Sequence, residues 1–177
     1  MKNEKSTETP IKKGLKSKEE IVKNWLPRYT GRELHEFTDY ILLTNFSKYL
    51  TLFSQWNDNA PIMGLDKPMQ SVSANGITLI NFGMGSAMAA TMMDLLSAIN
   101  PKAVLFLGKC GGLKKKNALG DLILPIAAIR GEGTSNDYLP AEVPALPAFM
   151  LQRGVSNAIK KHDREYYSGF AGPISTS

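Results

Sequence analysis

Apolar residues along this chain fall into two spacings, and the switches between them mark its elements. Residues 76–82 (GITLINF), 103–107 (AVLFL) and 122–129 (LILPIAAI) are apolar runs of strand length, and the shorter 39–43 (DYILL) has the same character. After the DYILL run, Phe46, Tyr49, Leu50 and Phe53 recur at helical spacing. An alanine- and methionine-rich helix opens at Ser86 and runs to about Ile99, where Asn100-Pro101 stops it. Residues 149–161 predict an amphipathic helix with Leu151, Val155, Ala158 and Ile159 inward. Upstream, Ser17 followed by Glu19 and Glu20 predicts a capped helix with acidic residues opposing its positive end. Its apolar face is Ile21, Val22 and Trp25, and Pro27 ends it. The AVLFL run, apolar throughout, predicts a strand covered on both faces. Pro125 predicts a bulge or an edge position in the LILPIAAI strand.

Strands alternating with helices imply an α/β fold with a mainly parallel sheet and helices on its faces. Residues 1–16 are polar, lysine-rich and broken by Pro10 and Gly14, and read as a disordered basic leader; residues 17–177 read as one α/β domain. The net charge of +5 comes from lysines crowded near the start and at Lys114, Lys115 and Lys116. No aromatic residues interleave with them, so they read as a solvated tail and loop and no nucleic-acid partner is expected. Cys110 is the one cysteine, which rules out an intrachain disulfide. With no signal-like or membrane-spanning run, the expectation is a cytoplasmic protein away from any membrane. Two distant histidines and one cysteine cannot build a zinc site, and no cofactor is implied. Met88, Met92 and Met93 read as core.

In parallel sheets ligands bind beyond the carboxyl ends of strands, and three glycine-rich loops fall there. Gly83-Met84-Gly85-Ser86 follows the GITLINF strand. Its glycines permit close backbone approach, and Ser86 is placed to cap a helix whose free N–H groups favour an anion. A tight strand-to-helix turn explains the same residues, and the spacing lacks the third glycine of a dinucleotide fingerprint. Gly108-Lys109-Cys110-Gly111-Gly112 follows AVLFL. Lys109 there is either a point charge for a phosphate or a solvent-facing loop lysine. Cys110 has no histidine partner in view and reads as a small buried residue, not a nucleophile. Arg130-Gly131-Glu132-Gly133-Thr134-Ser135 follows LILPIAAI. Its arginine fork and hydroxyls suit a phosphate, while Glu132 could instead pair with Arg130. Together the loops suggest one site for a phosphorylated, hydroxyl-rich small molecule.

These stretches resemble the nucleoside phosphorylase/nucleosidase superfamily. Four segments carry the likeness in order: INFGMGSAMAATMMDLL, then AVLFLGKCGGL about twenty-five residues on, then LGDLILPIAAI, then RGEGTS. Within that superfamily the FLGKCGGLKK, GDLILP and RGEGTSNDYLP run is most similar to the AMP nucleosidases in their short form. The likeness covers about residues 18 to 165. It implies a mixed, mainly parallel sheet, a homo-oligomer, and hydrolysis of the N-glycosidic bond of AMP to adenine and ribose 5-phosphate. Gly83, Met84 and Gly85 would then lie against the ribose and its phosphate. Gly108, Lys109, Cys110 and Gly111 would flank sugar and base, and Arg130, Glu132, Thr134 and Ser135 would approach the pocket or a subunit interface. Lys48, in TNFSK, would stand where phosphorylases carry the arginine of a phosphate loop.

Two departures qualify the likeness. Phosphorylases place an arginine just before this Gly-x-Cys-Gly turn to grip orthophosphate, whereas Phe106-Leu107 and Lys109 stand here, which favours hydrolysis over phosphorolysis. The family's ribose-binding Met-Glu pattern and its purine-protonating Ser-Asp are absent, so no catalytic acid is assigned and the sheet is expected to be incomplete with an exposed edge. The alternatives are a purine nucleoside phosphorylase and a non-catalytic nucleotide-binding remnant.

Overall fold

The computed structural model describes residues 16–172. All but Lys16 of the leader, and residues 173–177, lie outside the described residues.

Ser17 closes a capping box with Glu20, and helix α1 (Lys18–Thr30) follows. It runs through Pro27 instead of ending there. A proline in a helix forfeits one N–H and crowds the carbonyl four residues back, but packing outweighs that cost here. Leu26 and Thr30 are fully buried, the Thr30 hydroxyl donates to the Leu26 carbonyl at 2.7 Å, and Gly31 ends the helix in the left-handed region at φ 68°. The inward face is Val22, Leu26 and Thr30; Ile21 and Trp25 are exposed, contrary to the sequence expectation.

Strand β1 (Tyr40–Thr44), helix α2 (Ser47–Trp56), strands β2 (Ile62–Met63), β3 (Gln70–Ala74) and β4 (Ile77–Asn81), helix α3 (Ser86–Leu96) and strand β5 (Ala103–Phe106) then build a five-stranded sheet. Its order is β2-β3-β4-β1-β5. β4, β1 and β5 are parallel, while β2, β3 and β4 run antiparallel, so the sheet is mixed. The β3–β4 hairpin turns on Asn75-Gly76, with φ 49° and 78°. That pair is the two-residue hairpin signature, since both turn positions need positive φ; β2 and β3 were missed because their apolar alternation is weak.

Successive strand residues face opposite sides of the sheet. Ile41, Leu43, Ile80 and Phe82 pack with Val22 and Leu26 of α1 and with Met92, Leu95 and Leu96 of α3. Leu79 and Val72 pack with Leu50 of α2 on the opposite face. Each such fully buried aliphatic side chain contributes about 1.5–3 kcal/mol relative to exposure. Met92 belongs to the core and Met88 packs against it, but Met93 is half exposed. β5 ends the sheet, and Phe106 is 56% exposed, so this strand is not covered on both faces.

Strand β6 (Leu122–Ala128), helix α4 (Phe149–Lys161) and strand β7 (Tyr166–Ala171) form a second unit in which β6 and β7 pair in parallel. The register shifts between Pro125 and Ala127, which is the bulge expected at this proline. The Gln152 side chain of α4 donates to the freed Pro125 carbonyl at 2.8 Å. Leu151, Val155 and Ile159 are half-buried, whereas Ala158 is exposed. Among the described residues no helix is long and apolar enough to cross a membrane.

Candidate active site

The helix after β1 lies on one face of the sheet and the helix after β4 on the other. Because β1 and β4 are neighbours, the loops leaving their carboxyl ends diverge and open a crevice, where α/β sheets take their ligands. β5, on the other flank of β1, brings its own loop to the same edge. The backbone continues the pairing past the strands: Phe82 N–H donates to the Thr44 carbonyl at 3.1 Å, and Leu107 N–H to the Leu43 carbonyl at 2.8 Å. Three chain segments, 44–48, 82–86 and 107–111, thus converge at one edge.

On the β4 side, Gly83 and Gly85 hold φ of 84° and 98°, a region closed to most side chains. Gly85, not Ser86, occupies the cap position of α3, and no side chain caps that helix. The Ser86 hydroxyl instead lies 2.9 Å from the Thr134 hydroxyl, which ties the GMGS loop to the RGEGTS loop. Met84 is exposed beside it.

On the β5 side, the Lys109 ammonium sits 4.5 Å from the centre of the Phe46 ring and 5.7 Å from that of Tyr49. A cation over an aromatic face is held by the ring's electron density, so Lys109 is drawn across to the start of α2. Lys48 is exposed one residue before Tyr49. The Phe106 ring lies tilted against Phe82, with centroids 5.8 Å apart, which keeps the end of β5 apolar. Cys110 is free and exposed, not buried as its composition context suggested. Gly108 is half-buried, and a Cβ there would lie 2.7 Å from the tip of the exposed Phe106 ring, which would have to swing aside; Gly111 is exposed.

The Arg130 guanidinium is enclosed by its own loop. It donates through Nε to the Ser135 hydroxyl at 3.1 Å, through one terminal nitrogen to the Pro140 and Val143 carbonyls, and through the other to the Ser135 and Leu139 carbonyls and the Asn136 side chain. An arginine has five N–H donors, and these six contacts engage every nitrogen that carries them. Arg130 makes no ion pair with Glu132, whose carboxylate accepts the Ser135 N–H at 3.2 Å. The Ser135 hydroxyl, followed by contacts to Ser86 and Thr134, holds the Glu132 carboxyl below the ordinary range. The loop is further pinned to α3 by the Tyr138 hydroxyl, which donates to Asp94 at 2.9 Å. Lys18 approaches the same carboxylate at 3.2 Å. Sequence reasoning missed Tyr138 and Asp94, which are separated by 44 positions and carry no local pattern.

A cavity of about 590 Å³ opens at the opposite edge, lined by Tyr40, Leu42, Ala103, Leu105 and Leu151. Its walls are largely apolar, and Asp39 at its rim is paired with Lys102 at 2.6 Å, so it offers a phosphate little. No cluster of three or more metal-ligating side chains occurs among the described residues.

Residues 62–174 match the sequence pattern of the Phosphorylase superfamily. This chain belongs to that superfamily. Among solved structures, the AMP nucleosidase of Bacteroides thetaiotaomicron is 61% identical with a TM-score of 0.85; the match covers 90% of this chain and 67% of that one. The AMP nucleosidase of Escherichia coli K12 is 27% identical over 171 residues, which cover 76% of this chain and 35% of that protein. The chain thus spans about a third of this curated relative's length. The purine nucleoside phosphorylase of Toxoplasma gondii, 18% identical with a TM-score of 0.74 over 82% of this chain and 62% of that one, shares the fold. The mixed sheet described above, in which β4, β1 and β5 are parallel, lies within the fold shared with these structures.

Proposed function

We propose that the chain binds AMP at the converging carboxyl-edge loops and serves hydrolysis of its N-glycosidic bond, giving adenine and ribose 5-phosphate. The observation that carries this reading is the 61% identity to the Bacteroides AMP nucleosidase, a match that covers 90% of this chain. At that edge Gly83 and Gly85 lie against the ribose phosphate, where bare backbone admits close contact. Lys109 holds the 5′-phosphate as a point charge, with Lys48 on the neighbouring turn, and Gly108, Cys110 and Gly111 flank the sugar and base. Met84 closes over the ligand. Thr134, Ser135 and Glu132 border the same pocket through the Ser86 link, and Arg130 keeps their loop in shape.

The reaction passes through an oxocarbenium-like ribosyl: the C1′–N9 bond breaks as the adenine leaves and takes up a proton, and water adds at the anomeric carbon and gives up a proton. Hydrolysis is preferred to phosphorolysis because Phe106 and Leu107 put apolar groups where an orthophosphate would need a cation. The same reading makes residues 17–177 one domain and the protein a cytoplasmic homo-oligomer; association is supported by the exposed apolar side chains Phe106 and Leu122 on β5 and β6 and Leu107 and Ile129 just after them.

The test is adenine release from AMP by the purified chain, with and without inorganic phosphate. Release without phosphate is the expected result. Release only with phosphate would make the protein a phosphorylase, and binding without release a nucleotide-binding module.

A further inference from the structure

The segment after β6 leaves its sheet and returns to it at one place. The Ala128 N–H donates to the Ala145 carbonyl at 2.8 Å, and the Ile129 N–H donates to the Ala171 carbonyl of β7 at 2.7 Å. Residues 130–144 beyond these anchors form an Ω-shaped loop, with its ends together and its interior filled by its own side chains. The filling is Arg130, whose nitrogens reach Ser135, Asn136, Leu139, Pro140 and Val143. A loop cemented in this way keeps its shape when it moves. Its hold on the rest of the molecule is slighter. Among residues 131–144 Thr134 and Ser135 are half-buried and the others exposed, so lifting the loop uncovers no apolar anchor. Two hydroxyl contacts lay it along α3, Thr134 with Ser86 at 2.9 Å and Tyr138 with Asp94 at 2.9 Å, about two helical turns apart. Lys18 of α1 takes the other oxygen of Asp94 at 3.2 Å, so the acceptor is held in place from the far side.

We propose that residues 130–144 are a gate at the rim of the crevice, latched by Tyr138 on Asp94, and that this latch sets how fast nucleotide enters and leaves. The inference rests on the AMP reading above. Ser86 ends the glycine loop that borders the crevice, so the near end of the gate stands where a nucleotide must pass. The latch lies two turns away and touches no part of the pocket. A hydroxyl bonded to a carboxylate is firm enough to keep the loop down most of the time and weak enough to break often. The two contacts therefore differ in task. Thr134 borders the pocket, so its loss changes affinity. Tyr138 does not, so it acts on passage alone. A gate that is shut in the empty and the loaded protein alike slows entry and exit by one factor, and leaves the equilibrium between them where it was.

The experiment is surface plasmon resonance of AMP over the immobilised full chain, wild type and Tyr138→Phe, which keeps the ring and removes the hydroxyl. The association and dissociation rate constants are both expected to rise about tenfold, with the Kd nearly unchanged. Hydrogen exchange should quicken across residues 131–143 as one block, with the melting temperature close to that of wild type. Asp94→Asn, which weakens the same latch from the other side, is expected to move both rates in the same direction and stands in should the first variant not fold. Rates unchanged in both variants would overturn the gate and leave the AMP reading standing. A Kd raised through dissociation alone would also overturn it, since Tyr138 would then be supporting the wall of the pocket. Failure of both variants to fold would make the contact structural and overturn the gate as well. Wild type that binds no AMP would overturn the AMP reading and this inference together.

Discussion

The hydroxyls of Ser86 and Thr134 lie 2.9 Å apart although 48 positions separate them in the chain. One belongs to the loop after β4 and the other to the loop after β6, so a bond between two glycine-rich loops joins the five-stranded sheet to the β6–β7 unit. Thr134→Val keeps the volume and removes the hydroxyl. We expect it to raise the Kd for AMP about three- to tenfold, as loss of one neutral hydrogen bond would, with little change in melting temperature. Calorimetric titration decides, and an unchanged Kd would mean that the two loops act separately.

Lys109 carries the largest expected effect on affinity. Lys109→Ala should raise the KM for AMP at least about tenfold, because a charge-assisted contact is roughly twice as strong as a neutral one. Phe46→Leu removes the ring under the ammonium and should cost a smaller factor, about threefold. Steady-state kinetics on the two variants checks the order; an Ala variant with the wild-type KM would remove the phosphate role.

Arg130 behaves as a loop brace. Arg130→Lys keeps the charge but replaces a planar five-donor fork by a single ammonium, leaving several of the carbonyls at Ser135, Leu139, Pro140 and Val143 without donors. We expect a loss of about 2 kcal/mol in local stability, seen as faster proteolysis and hydrogen exchange across residues 131–145. Unaltered exchange there would show that the loop holds without the brace.

Two glycines separate backbone strain from collision. Gly76 has φ 78° with open space around it, so Gly76→Ala should cost about 1 kcal/mol from conformation alone. Gly64 has φ 72°, and a Cβ there would lie 2.2 Å from the Thr30 carbonyl oxygen, so Gly64→Ala must also push α1 from β2 and should cost several times more. Urea melts of the two variants test the ranking, which equal losses would refute.

The docking of the 130–143 loop should respond to acid. Asp94 is held below its ordinary range first by the Tyr138 hydroxyl and then by Lys18, and Glu132 by the Ser135 hydroxyl. A carboxyl whose folded value is depressed stabilises the fold fully above its unfolded value, and that contribution fades as pH falls through the folded one. The loop is therefore expected to loosen below about pH 4 and to be indifferent between pH 6 and 8. Hydrogen exchange on wild type and Asp94→Asn checks it: the variant should be loose at neutral pH and show less change on acidification.

Where the periodicity was strong the sequence was a good guide. β1, β4, β5, β6, α2, α3 and α4 lie close to their apolar runs. What stayed hidden was set at long range. Pro27 argues locally for a helix end, and only the burial of Leu26 and Thr30 overrides it. β5 looks like a central strand because it is apolar, but apolarity does not say how many neighbours a strand has. For the candidate site, the glycine loops were visible as short motifs at strand ends. The engagement of Arg130 by five residues of its own loop exists only once that loop has folded back on itself, and the reach of Lys109 to Phe46 only once strands 40–44 and 103–106 lie side by side.

The position of β5 gives the sheet a direction of growth. On one flank Ala103–Phe106 pairs with β1, while on the other no strand meets it among the described residues. Its outward N–H and C=O groups are already spaced at the repeat of a parallel neighbour, and Phe106 and Leu107 offer such a neighbour apolar cover. The far edge, ending in the two-residue β2, has little to offer by comparison. Any segment that extends this sheet should add beside β5, and in doing so would lay new side chains next to Gly108 and Lys109, at the mouth of the crevice itself.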